Sequence, residues 1–231
     1  MSMGIDFHSH ILPGADHGSS SVETSLAQIK LLKSAGINKI VATPHFYPQS
    51  HSVSDFLDMR HECAERLAGS LKNESPNIYM GAEVLVCPGL ENMDGLLSLC
   101  IKDTKTLLLE MPLTSSWSES LYRTVYNISN MDVNIVLAHV DRYPIGNVKR
   151  LMAETGAKGQ LNVSSYGNFL NNKRFFDYLS TGNIVAVGSD IHGEDKKCAK
   201  SMSCFIKRKD GLAAELFKRT EMYLMGANTI N

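Results

Sequence analysis

The sequence predicts an α/β protein, a distorted TIM-like (β/α)7 barrel, and two observations carry that prediction. Short runs rich in β-branched and apolar residues alternate seven times with longer amphipathic stretches, and no two strand candidates follow each other directly. Alternation of that kind implies parallel strands joined by right-handed crossovers. A doubly wound open sheet is the other arrangement such a pattern allows, but the chain has neither a GxGxxG nor a GxxxxGK[ST] loop to favour it. No low-complexity linker or charge block divides the 231 residues, so one domain is expected over 1–231.

Ile5–His8 reads as a short strand, followed by a turn at Pro13-Gly14. From Ser21 to Ala35, Val22, Leu26, Ile29, Leu31 and Leu32 recur near helical spacing, and Gly36 supplies the stop. Lys39–Thr43 is the next strand, closed by Pro44, and Ser54 is placed to cap a helix running towards Leu71. Ile78–Glu83, Thr106–Glu110, Val133–His139, Gly159–Val163 and Asn183–Gly188 complete the strands. Helical patterns over 90–100, 118–130, 144–155 and 170–181 separate them.

Composition removes whole classes of function. With 23 Lys+Arg against 24 Asp+Glu and a formal charge of −1, the chain carries no footprint for nucleic acid or an anionic membrane. It lacks the ~18-residue apolar run of a transmembrane helix, and its first residues meet charge and histidine too early for a signal peptide. Disorder, collagen and coiled coil are excluded as well. Cys63, Cys87, Cys100, Cys198 and Cys204 form no CxxC pair, and their scatter fits reduced thiols in a cytoplasmic protein. None is followed six positions later by Arg, so the Cys-x5-Arg loop of thiolate phosphatases is absent.

The chemistry lies at the strand ends. His8 and His10 end the first strand, His45 the second, Glu83 the third, Glu110 the fourth, His139 the fifth, and Asp190 and His192 the seventh. With 8 His and 24 Asp+Glu in 231 residues, a three-residue window holds one of them about a third of the time, so hits at six of seven ends exceed chance. In a parallel barrel all these ends open onto one face. His8-x-His10 places both imidazoles on one side of a strand, within reach of one ion. Imidazoles mixed with carboxylates and no thiolate suit catalytic manganese, iron, cobalt or zinc rather than structural zinc or calcium.

These residues stand in recognisable order: Ile5-Asp6-Phe7-His8-Ser9-His10-Ile11-Leu12-Pro13-Gly14, Ala42-Thr43-Pro44-His45, Gly81-Ala82-Glu83, Leu109-Glu110-Met111-Pro112, Ala138-His139-Val140-Asp141-Arg142-Tyr143 and Gly188-Ser189-Asp190-Ile191-His192. From Ile5 to about Asn228 the chain resembles the PHP (polymerase and histidinol phosphatase) superfamily. More narrowly, it is similar to the manganese-dependent tyrosine phosphatases of bacterial capsule and exopolysaccharide operons. The resemblance implies three divalent transition ions, manganese first among them, with iron, cobalt or zinc as alternatives. One would be held by His8, His10, Glu83 and Asp190, and a second by Glu83, Glu110 and His139. The third would be held by His17, His45 and His192, with Asp16 as an alternative ligand or a support. Three such ions bring +6 against −3 from Glu83, Glu110 and Asp190, a surplus that suits a phosphate dianion. The implied mechanism is in-line attack on phosphorus by a metal-bridging hydroxide, with Arg142 stabilising the equatorial oxygens. His139 and Asp190 belong to the same catalytic group.

The departures from the family pattern matter. His139-Val140-Asp141-Arg142-Tyr143 stands where the family usually has His-Pro-Glu-Arg-Tyr. Where a second Arg tends to follow Asp190-x-His192, this chain has Lys196 and Lys197, either of which could take over that phosphate contact as a point charge. Tyr143 joins Arg142 and the lysines as a substrate-side candidate, and Phe46 and Tyr47 are cleft candidates. Tyr166 and Asn168 are possible site-facing residues after the sixth strand. Plainer readings stand beside these. Arg142 could form a structural salt bridge to Asp141, rim aromatics and Trp117 could be packing, and His51 and His61 read as solvated. The leading expectation is a phosphatase for phosphotyrosine on a bacterial tyrosine kinase of polysaccharide export. A phosphatase for a small phosphomonoester such as histidinol phosphate, an amidohydrolase, and a non-catalytic phosphotyrosine-binding regulator are the alternatives.

Overall fold

In a computed structural model, residues 4–166 and 172–229 are described. Among them, every strand pairing is parallel. Strands buried on both faces read as unbroken apolar runs, as Leu107-Leu108-Leu109 and Ile184-Val185-Ala186-Val187 do here, because neither face meets water.

Among the described residues, nine strand segments stand where seven strands were predicted. They are β1 (Gly4–Ser9), β2 (Ile37–Ala42), β3 (His45–Phe46), β4 (Asn77–Met80), β5 (Glu83–Leu85), β6 (Thr106–Glu110), β7 (Asn134–Leu137), β8 (Lys158–Asn162) and β9 (Ile184–Gly188). The helices are α1 (Val22–Ser34), α2 (Val53–Ala68), α3 (Glu119–Ser129), α4 (Ile145–Thr155), α5 (Asn172–Leu179), α6 (Lys196–Arg208) and α7 (Asp210–Tyr223). The sheets run β1-β2-β4 and β3-β5-β6-β7-β8-β9. The division arises at Thr43-Pro44, where the second strand stops as predicted and a short further segment, β3, follows, and at Gly81-Ala82, which interrupts the predicted strand Ile78–Glu83 between β4 and β5. Proline has no N–H to give to a ladder. Bonds from Gly81 N–H to Ala42 O (2.8 Å) and from Glu83 N–H to Pro44 O (3.0 Å) still carry the pairing across both breaks. At the other end of the order, no ladder among the described residues joins β1 to β9. Asp190 N–H to His8 O (2.8 Å) and His10 N–H to Ile191 O (3.3 Å) tie the end of β1 to the segment just beyond β9.

Several element boundaries differ from expectation, each for a local reason. The cap of α2 is Ser52, whose hydroxyl accepts from Asp55 N–H, rather than Ser54, and the helix ends at Ala68. The stretch 90–100 forms two 3-10 turns, Leu90–Asn92 and Leu96–Leu99, because Gly89 (φ 87°) and Gly95 (φ 77°) take left-handed backbone that an α-helix cannot continue. The predicted helix over 170–181 is seen as α5, its first two positions lying outside the described residues. Two C-terminal helices, α6 and α7, follow the last strand, and α7 packs on β9 and β1. The strand ends are braced from below by Gln28 of α1, fully buried, whose amide N–H group reaches His10 O (3.3 Å), Gly18 O (3.2 Å) and Ile191 O (3.4 Å).

Candidate metal centre

The C-terminal ends of the strands meet in one polar cluster beneath an otherwise apolar core. Within it, His8 Nε2 lies 3.1 Å from His10 Nε2 and 3.1 Å from Glu83 Oε2. His10 Nε2 is 3.2 Å from Asp190 Oδ1, and His45 Nδ1 is 3.0 Å from Glu83 Oε2. On the far side His139 Nε2 reaches Glu83 Oε1 at 2.8 Å and Glu110 Oε1 at 3.5 Å. The His192 ring stacks on His10 with centroids 4.2 Å apart. Three overlapping groups have ligand atoms within 4.8 Å of one another: His8, His10 and Asp190; His10, His45 and His192; and His45, Glu83 and Glu110.

Glu83 is 1% exposed, and an isolated carboxylate there would be driven to its neutral form. Burial does push its pKa up, but the charge of His8 and hydrogen bonds from His10, His139 and His45 outweigh it and hold Glu83 well below the usual carboxylate range. The imidazoles respond in kind. Burial lowers His139, yet the bonds to Glu110 and Glu83 raise it to about 9. His10 likewise rises well above its ordinary value through Asp16, Asp190 and Glu83, against the burial that lowers it. Protons on these rings therefore do electrostatically what a cation would do, and a cation binds by displacing them. His139 Nδ1 and His192 Nε2 are buried without a hydrogen-bond partner. A buried polar atom with no partner is costly unless an ion completes it. The donor set and its unmet atoms fit divalent transition ions.

Backbone strain marks the same residues. Apart from glycines, four described residues have positive φ, and two of them are His139 (29°) and Asp190 (53°), each just beyond a strand. Strain of this kind costs about 1–3 kcal/mol and persists where the surroundings hold it. Two glycines admit the close packing: a Cβ on Gly18 would lie 2.1 Å from His10 Cβ, and one on Gly188 would lie 2.6 Å from His8 Cβ.

The remaining candidates sort by position. His17 is exposed, with its ring stacked 5.1 Å from that of His45 and 4.6 Å from that of His192, so it lies on the same face while its nitrogens stay outside the three ligand groups. Asp16 is otherwise committed: Oδ2 is 2.7 Å from His10 Nδ1 and accepts from His45 N–H (3.0 Å), and Oδ1 accepts from Gly18 N–H (2.8 Å). It supports the ligand cluster from outside. Arg142 pairs with Asp190 rather than Asp141, which is bound by Asn162 N–H and the Ser165 hydroxyl.

Tyr143 requires correction as a substrate contact. It is fully buried, its hydroxyl accepts from Met111 N–H (3.0 Å), and its ring packs on His139 and Trp117, because the 3-10 turn Val140–Arg142 sends it inward. Phe46 is also fully buried, so neither lines a cleft. Tyr47 remains at the rim, half-buried and stacked on His45 at 5.2 Å. Lys196 and Lys197 open α6 as exposed side chains, without an ion pair among the described residues. Tyr166 is buried against Phe175 and Phe205, and Asn168 lies outside the described residues. His51 and His61 are exposed away from the cluster, as expected.

Sequence reasoning missed a second polar layer. Gln160 and Asn162 of β8 are buried, and Asn162 Nδ2 donates to Asp190 Oδ2 at 2.9 Å. The signal was present: two amides at period two in a strand that alternation marks as buried share one face. Asp6, buried behind His8, accepts from Ser189 N–H (2.7 Å) and His8 N–H (3.3 Å).

Residues 4–222 match the family model for capsular polysaccharide synthesis, CpsB/CapC. The chain is similar to the tyrosine-protein phosphatase CpsB of Streptococcus agalactiae, 27% identical over 209 residues that cover 83% of this chain and 84% of that protein. It is similar to CpsB of Streptococcus pneumoniae to the same degree, 27% over 212 residues, 84% of each chain. Among solved structures, it superposes with a TM-score of 0.80 at 20% identity on a structure described with YwqE from Bacillus subtilis and CpsB from Streptococcus pneumoniae, metal-dependent tyrosine phosphatases. That likeness covers 97% of this chain and 96% of the other. A dihydropyrimidinase from Brevibacillus agri gives 0.56 at 14% identity, over 100% of this chain and 73% of its own, a likeness of fold alone.

Proposed function

This chain belongs to the CpsB/CapC family of capsular polysaccharide synthesis, and from that premise and the site geometry we propose that it is a metal-dependent protein-tyrosine phosphatase. The observation that carries the proposal is the convergence of His8, His10, His45, Glu83, Glu110, Asp190 and His192 into three ligand groups that share members, contributed by segments across the whole chain. The reading takes up to three divalent transition ions there, manganese first, with His139 beside Glu83 and Glu110, and His17 at the outer edge. Such ions supply positive charge facing a phosphate and make water acidic enough to attack it near neutral pH.

The chain's own groups do the rest. Glu83 uses both oxygens, facing His8 and His45 with one and His139 with the other, so it spans the cluster. Arg142, 42% exposed in its side chain and paired with Asp190, is in this reading the residue that contacts the transferred phosphoryl group from the solvent side. Tyr47 offers an aromatic wall at the rim, and Lys196 and Lys197 are further cationic candidates on the substrate side. A phenolate leaving group has a pKa near 10, so its departure asks for little protonation. A cysteine mechanism has no support: the Cys198 thiol, 3% exposed, donates to Ser189 O at 3.1 Å, and burial pushes its pKa up.

The substrate class is phosphotyrosine protein, with a bacterial tyrosine kinase of polysaccharide export as the partner, in the cytoplasm. Among the described residues, no helix is long and apolar enough to cross a membrane, and the five cysteines are free. The test is hydrolysis of p-nitrophenyl phosphate and a phosphotyrosine peptide with Mn²⁺, against the same reactions in EDTA, for the wild type and for His8→Ala and His139→Ala. Activity lost in EDTA and in both variants is expected. Undiminished hydrolysis in EDTA rejects the proposal. A strong preference for histidinol phosphate would reassign the substrate, and peptide binding without turnover would make the protein a regulator.

A further inference from the structure

The hydrogen-bond assignments around Gln160 follow from a single unambiguous donor. The backbone N–H of His139 points at one side-chain atom of Gln160 from 2.7 Å, and a backbone N–H can only donate. That atom is therefore the amide oxygen, so the other is the NH2 group, 3.0 Å from Asn162 Oδ1, to which it donates. Asn162 must then turn its own NH2 to Asp190 Oδ2, 2.9 Å away, where a carboxylate accepts. The last member is His8, whose Nδ1 sits 3.1 Å from the same Gln160 oxygen. An amide oxygen has no proton to give, so His8 Nδ1 must carry one. Its Nε2 then faces Glu83, His10 and Asp190 at 3.1, 3.1 and 3.7 Å as the nitrogen free to bind an ion.

We propose that Gln160 is the positioning residue of the metal centre: one buried amide fixes the ring nitrogen through which His8 binds, holds the strained turn at His139, and through Asn162 orients Asp190. Gln160, fully buried, has both ends committed, so the relay has no freedom to invert without losing a bond at each step. Gly188 admits it, since a Cβ there would lie 2.8 Å from Gln160 Nε2. Outer partners of this kind fix imidazole orientation, and their loss typically lowers metal affinity about 10–100-fold.

The proposal rests on the metal-centre reading, and its test uses no phosphate substrate, so its failure is distinguishable from failure of the phosphatase assignment. In ¹⁵N-labelled wild-type protein loaded with Zn²⁺, imidazole NMR should show His8 protonated at Nδ1 and metal-bound at Nε2. The opposite pattern overturns the proposal without any variant. Mn²⁺ affinity, measured by titration against a competing chelator, should fall about 10–100-fold in Gln160→Met, which keeps length and removes all three bonds. Gln160→Glu keeps the acceptor for His8 and His139 but loses the donor to Asn162, and should recover part of that loss. Wild-type affinity in a folded Gln160→Met, or equal losses in both variants, refutes positioning by the amide oxygen.

Discussion

Asp6→Asn isolates the cost of burying a charge behind the candidate site. Asp6 is fully buried, and burial is the main influence on its carboxyl, raising the pKa from 3.8 to about 6 against hydrogen bonds from Ser189 and His8. Oδ1 accepts two backbone N–H groups, and Oδ2 has no hydrogen-bond partner. The displacement corresponds to about 3 kcal/mol of preference for the protonated form. A carboxyl whose folded pKa is raised binds more protons folded than unfolded between 3.8 and 6, so its contribution falls as pH rises through that window and is level above it. Asn keeps the Oδ1 acceptor and carries no charge, but places an NH2 where Oδ2 lacked a partner, at about 1–3 kcal/mol. In metal-free protein, Asp6→Asn should therefore be the less stable form at pH 4. Relative to wild type it should gain about 2–3 kcal/mol by pH 8, read as the difference in urea unfolding free energies. A pH-independent difference, or one that moves against Asn as pH rises, refutes the reasoning.

Two other substitutions separate contact from support. Arg142→Ala should lower kcat/KM for a phosphotyrosine peptide about 10–100-fold, and Arg142→Lys should recover part of it, since lysine supplies charge without the planar fork. A change under about 2-fold in steady-state assays would remove Arg142 from the phosphoryl site. Tyr143→Phe strips the acceptor from Met111 N–H, an unsatisfied buried donor worth about 1–3 kcal/mol. It should lower the melting temperature by several degrees with KM unchanged, whereas a raised KM at unchanged melting temperature would restore Tyr143 as a substrate contact.

The parts of this fold that were legible in the sequence are those that periodicity governs. The core runs of β6 and β9 announce themselves as apolar stretches, and their ends fall at Glu110 and near Asp190, as expected. The stop at Pro44 was expected; what periodicity could not show was the short strand that resumes at His45 beyond it, or the break at Gly81-Ala82, which together leave two sheets. A missing N–H changes a ladder without changing the apolar pattern around it. The turns at Gly89 and Gly95 were misread for a related reason: leucines at helical spacing fit a 3-10 turn as readily as an α-helix, and only the left-handed glycines decide between them. At the site, residue type was the strong signal for the inner cluster, because imidazoles and carboxylates are costly to bury without a purpose.

The same logic explains why the supporting layer was easily missed, although the spacing of Gln160 and Asn162 placed both on one face of a buried strand. Tyr143 looked like a rim residue because it follows Arg142, yet direction within a 3-10 turn is set by three-dimensional packing that adjacency does not encode. Gln160, Asn162 and Gln28 are neutral amides, individually unremarkable in sequence, and each gains meaning only from the atom it faces across the fold. Asp16 shows the converse. Read by type it could ligate an ion, but both oxygens are taken up by His10, His45 and Gly18. The inner cluster is thus specified by chemistry that a residue name carries, and its geometry by bonds that only the folded chain brings together. Variants of the outer amides should therefore alter metal affinity while the identity of every inner ligand stays unchanged.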